Sequence, residues 1–312
     1  MFQLSVIIPC YNIAAFADNL FENLETQTVD KSKVQLIFVD DKSRDGSLVM
    51  LQTYAVSTDY AVKVIELDEH SMQGKARNTG VQYASGLYLY FMDSDDRIRT
   101  DAFKIICDYT KDYDPDLLIF KWCMTWDRAK VENSGCVLGE VNTPEERMIF
   151  FQQHNTFINR SCWDKVIRYN LVVDNDLKFA EGVWDEEPLF TLPAMLLAKR
   201  FLLADDVLYC YTFDRVGSST NSLRRDNSQH LYDNAEVMLR TYEYCKKHDL
   251  IGPNLDIFEC WFYMNYYVYS IDFNRQRRYP IPEEQRKALL ANVQSLFPNY
   301  KKNKLIKKGE KA

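Results

Sequence analysis

Three carboxylates fall within four positions at Asp93-Ser94-Asp95-Asp96, directly after the apolar run Tyr88-Leu89-Tyr90-Phe91-Met92. Five residues without a polar interruption suit a strand covered on both faces. The acids then lie just past its carboxyl end, where open α/β sheets place their ligands. Carboxylates this close repel one another unless a cation or abundant water separates them. Asp93-Ser94-Asp95 offers the hard oxygen ligands that Mg2+ or Mn2+ prefers, and such an ion would carry a phosphate. The other reading is an acidic turn, with Asp96 capping the next helix.

Lys75 and Arg77, in Gln73-Gly74-Lys75-Ala76-Arg77-Asn78, open a helical stretch whose N-terminus favours anions. Read alone, they are equally a solvated helix face. There is no Gly-x-Gly-x-x-Gly and no Gly-x-x-x-x-Gly-Lys-Ser/Thr, so neither dinucleotide nor P-loop chemistry is supported. Phosphates would have to be neutralised by a metal and by basic side chains instead.

The elements that must position these residues follow a βαβ rhythm. Strands are expected near residues 4, 34, 62 and 87, with a helix-sized segment between each pair. Leu4 to Ile8 ends at Pro9. Phe16, Leu20 and Leu24 recur as one helix face, and Asp45-Gly46-Ser47 opens a second helix. A third helix is expected from Gly74 to Ala84. Right-handed crossovers then impose a mostly parallel sheet. Its carboxyl edge collects Pro9-Cys10-Tyr11-Asn12, Asp40-Asp41, Asp68 to Gly74 and Asp93 to Asp96. Four loops converging on one edge favour a nucleotide site over a helix cap.

Beyond residue 100 the rhythm changes. A strand is expected over 116–120, a polar excursion over 127–143 and a helix over 144–153. Leu196 to Tyr211 reads as a helix turning into a final strand. From Asp226 onward the pattern is helical, with an aromatic segment from Phe258 to Phe273 and a last helix from Glu283 to Leu296. The rings from Trp261 to Tyr269 read as packing or as a lipid-facing patch. The tail from Lys301 to Ala312 carries six Lys and one Glu and is expected to fray.

Composition bounds the function. Hydrophobic content of 46% with 27% charged residues is ordinary for a soluble protein. A net charge of −7 argues against a nucleic-acid binder. Eight single Cys without a Cys-x-x-Cys pair, and four isolated His, fit reduced cytosolic thiols and no zinc site. The first fifteen residues lack the pattern of a signal peptide, and no run reaches the ~18 apolar residues that span a bilayer.

Four motifs in order across residues 4 to 98 carry a resemblance. They are Ser5-Val6-Ile7-Ile8-Pro9-Cys10-Tyr11-Asn12, Phe38-Val39-Asp40-Asp41-Lys42-Ser43-x-Asp45, Gly74-x-x-Arg77-Asn78-x-Gly80 and Phe91-Met92-Asp93-Ser94-Asp95-Asp96. Together they resemble the inverting family 2 glycosyltransferases of GT-A fold. The resemblance implies an α/β, Rossmann-like GT-A domain over 1–220, flanked by helices, and a helical C-terminal region over 221–312. It implies that Pro9, Tyr11, Asp40 and Asp41 hold the nucleoside, with Asn12 beside them. Lys75, Arg77 and Asn78 would face or shape the diphosphate loop, Asp93 and Ser94 would lie near the ribose, and Asp95 with Asp93 would bind Mn2+ or Mg2+.

The family also needs a general base, because a sugar hydroxyl is too weakly acidic to attack unaided. Glu181-Gly182-Val183-Trp184-Asp185-Glu186-Glu187-Pro188-Leu189-Phe190 resembles its Glu-Asp-x-x-Phe element. Aligned on Phe190, Glu187 stands where Asp is usual, so Asp185 and Glu186 stay in play. A solvated helix start ahead of Pro188 is the bland alternative. Trp163-Asp164-Lys165 resembles an element near the acceptor, and Arg215-Val216-Gly217-Ser218 a late loop over the diphosphate.

The function implied is an inverting, metal-dependent transfer from a nucleotide-sugar, by resemblance a UDP-sugar, to a glycan or polyprenyl-linked acceptor in bacterial surface polysaccharide synthesis. The enzyme would be cytoplasmic, at the inner membrane face where its basic tail meets anionic lipid. Two other classes share parts of the pattern. A sugar-nucleotide-forming nucleotidyltransferase would open with a Gly-rich loop where Pro9-Cys10-Tyr11-Asn12 stands. A non-catalytic sugar-nucleotide-binding protein of the same fold would not need both acidic clusters.

Overall fold

Alternating apolar runs and helix-length segments build one sheet in the first part of the chain. The computed structural model describes residues 1–124, 135–154, 159–212, 228–271 and 281–306. Arg215–Ser218 and the end of the basic tail, 307–312, lie outside the described residues. The chain forms two compact units, Met1–Glu140 with Ser161–Phe213 and Val141–Arg160 with Asp214–Ala312.

In chain order the elements begin with β1 (Phe2–Cys10), α1 (Ala17–Glu25), β2 (Val34–Asp40), α2 (Ser47–Ser57) and β3 (Ala61–Glu66). Then come α3 (Met72–Gln82), β4 (Gly86–Phe91), β5 (Arg97–Ile98), α4 (Ala102–Tyr113), β6 (Leu117–Cys123) and β7 (Cys136–Glu140). They are followed by α5 (Pro144–His154), β8 (Lys165–Arg168), α6 (Tyr169–Asp174), α7 (Pro188–Leu197) and β9 (Arg200–Cys210).

The nine-stranded sheet has the order β3-β2-β1-β4-β8-β6-β9-β5, with β7 on β9. β1 pairs in parallel with β2 and β4, and β2 with β3. β8 is antiparallel to both β4 and β6, and β6 is parallel to β9. The carboxyl ends of β1, β2, β3, β4, β6 and β9 therefore share one edge, and the amino end of β8 joins them there. The sheet is mostly parallel and covered by helices, as read from the sequence.

β1, β2 and β4 are buried on both faces, which explains their apolar runs, whereas the edge strand β3 alternates with exposed residues. Leu4, Val6 and Ile8 meet Leu36, Phe38, Tyr90 and Met92 in one cluster. On the other face, α3 lies so close that a Cβ on Gly80 would come 2.4 Å from Ile7 Cγ2. α3 starts at Met72, two residues before the expected Gly74. Three strands escape the sequence reading. β5 is a two-residue strand after the acidic turn. β7 lies within the supposed polar excursion, and β8 has only four residues, led by a buried Lys165 paired with Asp164 at 2.7 Å.

The second unit is helical: α5, α8 (Ser228–Lys247), α9 (Leu255–Phe262) running on into a π-helical turn (Tyr263–Val268), and α10 (Glu283–Leu296). The aromatic segment is core. Trp261, Phe262, Tyr263, Tyr266 and Tyr267 are buried, and Phe262 stacks on Tyr266 and packs against Phe297. The rings expected either to pack onto the catalytic domain or to face lipid are instead buried among side chains of the helical unit itself. Asn234 holds the π turn by donating to the Asn265 carbonyl at 3.1 Å. No helix among the described residues is long and apolar enough to cross a membrane.

Candidate active site

At the shared sheet edge the chain leaves β1 through Pro9 and Cys10 into Tyr11 and Asn12. Asn12 adopts a left-handed φ of 51°, which Asn tolerates because its short side chain bonds locally. Its amide donates to Ser43 Oγ at 2.9 Å, and its Oδ1 accepts from the Arg44 amide at 2.9 Å. The first two loops are thus tied together. Tyr11, 43% exposed, stacks on His70 with ring centroids 4.0 Å apart. The pair presents a flat aromatic surface to solvent.

Asp40 and Asp41 end β2 with different duties. Asp40 is buried; its Oδ2 accepts from the Ser43 amide at 3.0 Å, while its Oδ1 has no hydrogen-bond partner. Asp41 faces the N-terminus of α3. It accepts from the amides of Ser71 at 2.6 Å and Met72 at 2.8 Å, and lies 2.9 Å from His70 Nδ1. It is a helix cap supplied from 30 residues upstream, satisfying amides that the helix itself leaves orphaned. Burial is the largest influence on this carboxyl and raises it, against the lowering by those amides and His70.

The acidic turn after β4 splits in the same way. Asp93 Oδ1 accepts from Arg77 Nη2 at 2.7 Å. Ser94 and Asp95 keep partial exposure, and Asp96 turns inward. Asp96 accepts from Tyr209 Oη at 2.5 Å and from the Thr212 amide at 2.6 Å. It does not cap α4, which follows Asp101. Burial first, then the charges of Asp93 and Asp95, push Asp96 up to about 8. Repulsion among the three crowded acids adds to the rise that burial begins, and a cation beside Asp93 and Asp95 would relieve that part of it.

Among the described residues no three His, Cys, Asp or Glu side chains close on one point as a ready-made metal cage. The donor set present, two carboxylates one residue apart, fits a hard divalent cation that takes its other ligands from phosphate and water.

The later acidic run forms a loop against α3. Gln73, Gly74, Arg77 and Asn78 share one helical face. A Cβ on Gly74 would meet the Ala180 carbonyl oxygen at 1.9 Å, so only Gly allows this approach. Asn78 donates to the Phe179 carbonyl and accepts from the Phe179 amide, both at 2.9 Å. Lys75 pairs with Glu181 at 3.2 Å. Gln73 donates to Glu186 Oε2 at 2.9 Å, and Arg77 Nη1 donates to Glu186 Oε1. The resemblance implies that Arg77 and Asn78 face or shape the diphosphate loop; the structure gives both ends of Arg77 to carboxylates and uses Asn78 to pin the acidic loop.

Asp185 holds a φ of 59° and turns the chain so that Glu186 and Glu187 diverge. Glu187 immediately precedes Pro188 at the start of α7, where proline's missing N–H costs nothing. Its Oε1 accepts from the Cys162 amide at 2.7 Å. Burial, then the neighbouring Glu186 charge, push Glu187 up to about 7, while Arg77 and the Cys162 amide restrain the rise. A carboxyl that titrates near neutrality can take a proton and pass it on.

Residue 163 adds an aromatic wall. Trp163 stacks on Tyr209 with centroids 4.7 Å apart and meets the half-exposed Trp122 edge-on at 5.1 Å. The sequence reading missed His70, Gln73, Cys162 and Tyr209. His70 and Gln73 flank a motif already singled out, so their place in the third loop was the available signal. The Cys162 contact is made by the backbone amide together with a thiol, and a single Cys carries no pattern that points to it.

Comparison with known proteins bears on the family and the fold. The family model for glycosyl transferase family 2 matches residues 5–162. Poly(ribitol-phosphate) beta-N-acetylglucosaminyltransferase TarS of Staphylococcus aureus is 28% identical over 223 residues, 71% of this chain and 37% of that protein. The poly(ribitol-phosphate) beta-glucosyltransferase of Bacillus spizizenii is 26% identical over 216 residues, 69% of this chain and 33% of that protein. The chain spans little more than a third of the length of these relatives. The crystal structure of S. aureus TarS 1–349 with UDP-GlcNAc superposes with a TM-score of 0.66 at 23% identity, covering 97% of this chain and 88% of that one.

Proposed function

We propose, on the premise that the chain belongs to glycosyl transferase family 2, that it transfers a sugar from a UDP-linked donor to a hydroxyl of a glycan or polyprenyl-linked acceptor, with inversion. The observation that carries this reading is Glu187, a carboxyl raised to about 7 on a loop tied to the donor-side Asp93 through Glu186 and Arg77. Glu187 takes the proton of the acceptor hydroxyl as its oxygen attacks the anomeric carbon. The bond from that carbon to the diphosphate oxygen breaks, and the nucleoside diphosphate leaves with the electron pair. One attack from the face opposite the leaving group inverts the configuration.

Tyr11 and His70 supply the surface on which the nucleobase stacks, with Pro9, Asn12, Asp40 and Asp41 building the pocket around it. Asp93 and Asp95 would hold Mn2+ or Mg2+, which would supply positive charge against the diphosphate. The 1–220 segment is the donor-binding part in this reading. The relatives named for poly(ribitol-phosphate) support an acceptor from surface polysaccharide synthesis; the place of action in this reading is the inner face of the cell membrane.

The test is direct. The protein is incubated with Mn2+ and a panel of UDP-sugars and GDP-sugars, and released nucleoside diphosphate is measured with water as the acceptor. Release from at least one UDP-sugar is expected. Tight UDP binding with no release from any donor would reject the enzymatic reading.

A further inference from the structure

Arg77 occupies an unexpected position for a cation in a phosphate-handling site. It is 3% exposed and lies mid-helix in α3, with its guanidinium packed over the Phe179 ring at 5.3 Å. One end reaches Asp93 and the other Glu186. Two carboxylates against one guanidinium leave the group net negative, so it offers a diphosphate no attraction of its own. An arginine this deep persists only because its charge is matched on both sides.

The surroundings fix the guanidinium as a strut. Gly74 brings α3 against Ala180, Asn78 pins Phe179 and Gln73 holds the second oxygen of Glu186. The N-terminus of the same helix is capped by Asp41. α3 thereby meets the nucleoside-side carboxylate, the donor-side turn and the base loop, and Arg77 is the side chain that bonds the last two together.

We infer that Arg77 is a positioning residue: its guanidinium bolts Glu186, and with it Glu187, to the Asp93 turn, and it does not grip the diphosphate. This rests on the reading of Glu187 as the base. A base displaced by about 1 Å loses about 100-fold in rate, so the strut matters for turnover. A lost charged hydrogen bond to phosphate would instead weaken nucleotide binding by about tenfold or more.

Two quantities separate the roles: the affinity for UDP with Mn2+ by calorimetry, and kcat for UDP-sugar hydrolysis. R77Q is expected to lose about 100-fold in kcat with UDP affinity unchanged, and R77K, which can reach one carboxylate, to recover part of it. E186Q should reproduce the R77Q loss. Where R77Q does not fold, the apolar pair R77M/E186M fills the same space without charge and should also lose kcat while binding UDP. UDP affinity lost with kcat retained, or wild-type turnover in R77M/E186M, would overturn the inference. If wild-type protein releases nothing from any donor, the proposed function fails and takes this inference with it. If wild-type turns over and only the variant pattern departs, the inference fails alone.

Discussion

Glu186 and Glu187 are joined by one peptide bond yet face different partners. Glu186 gives its oxygens to Arg77 and Gln73, whereas Glu187 accepts from the Cys162 amide at 2.7 Å. The first is neutralised in place; the second is poised to exchange a proton. Glu187→Gln should therefore reduce kcat by about 10²- to 10⁴-fold without weakening UDP binding. Asp185→Asn should cost far less. Steady-state hydrolysis of a UDP-sugar across the three single variants decides the assignment, and it moves to Asp185 if that variant shows the larger loss.

The titration of Glu187 sets the pH dependence. Its pKa of about 7 means the base form gains population as pH rises, so kcat should climb through about pH 7 and then level. Glu187→Gln should flatten that limb, while Glu186→Gln, which removes a charge that raises Glu187, should lower the rate and move the limb to lower pH without flattening it.

Stability should show the opposite slope. The unfolded chain releases this proton near the ordinary carboxyl value, but the folded protein keeps it until about 7. Between those values the native state binds more protons, so the contribution of Glu187 to stability falls as pH rises. Urea midpoints of wild type and Glu187→Gln should diverge from about pH 5 to pH 7, with the variant gaining.

Tyr11 and His70 form an exposed stack, and a nucleobase placed on it would extend the stack by one ring. Tyr11→Ala should cost about 1–3 kcal/mol of UDP affinity, and Tyr11→Phe little. Calorimetric titration with UDP measures both. Equal affinity in Tyr11→Ala would move the base elsewhere.

Gly74→Ala sets two effects against each other. Alanine favours a helix interior by about 1 kcal/mol over glycine. Its Cβ would, however, lie 1.9 Å from the Ala180 carbonyl oxygen, a backbone atom with little freedom to withdraw. Overpacking of this kind costs about 1–3 kcal/mol, so the clash should win. A lower urea midpoint and reduced turnover are expected, with Gly252→Ala, whose Cβ would meet nothing within 4 Å, as the control.

Asp95→Ala should abolish stimulation by Mn2+ while leaving the melting temperature of the free protein near that of wild type. Turnover titrated with Mn2+ after treatment with a chelator tests this. An unchanged Mn2+ response would remove Asp95 from the metal assignment.

β1, β2 and β4 were legible because parallel, doubly buried strands carry apolar runs, and the Asp93 turn because three acids rarely crowd without cause. β8 was not legible: four residues led by a lysine match no strand pattern, and Lys165 is buried only because Asp164 and the Ser161 carbonyl meet its ammonium. The cap that Asp41 places on α3 was also hidden, since a cap is ordinarily sought at the helix start and this one arrives from another loop. Arg77 was recognised as a site residue, but a residue type says nothing about which anions surround it.

β8 runs against its neighbours, and so brings its amino end to the ligand edge. The group that steadies Glu187 there is a peptide N–H, a donor that every residue except proline carries. The Cys162 thiol also meets the Glu187 carboxyl, but the amide's part of the contact does not depend on the side chain at position 162. Such a contact is inherited with the path of the chain and not with its letters. Replacing Cys162 would remove the thiol and keep the backbone restraint on the base, whereas Cys162→Pro would erase the backbone restraint with Glu187 untouched.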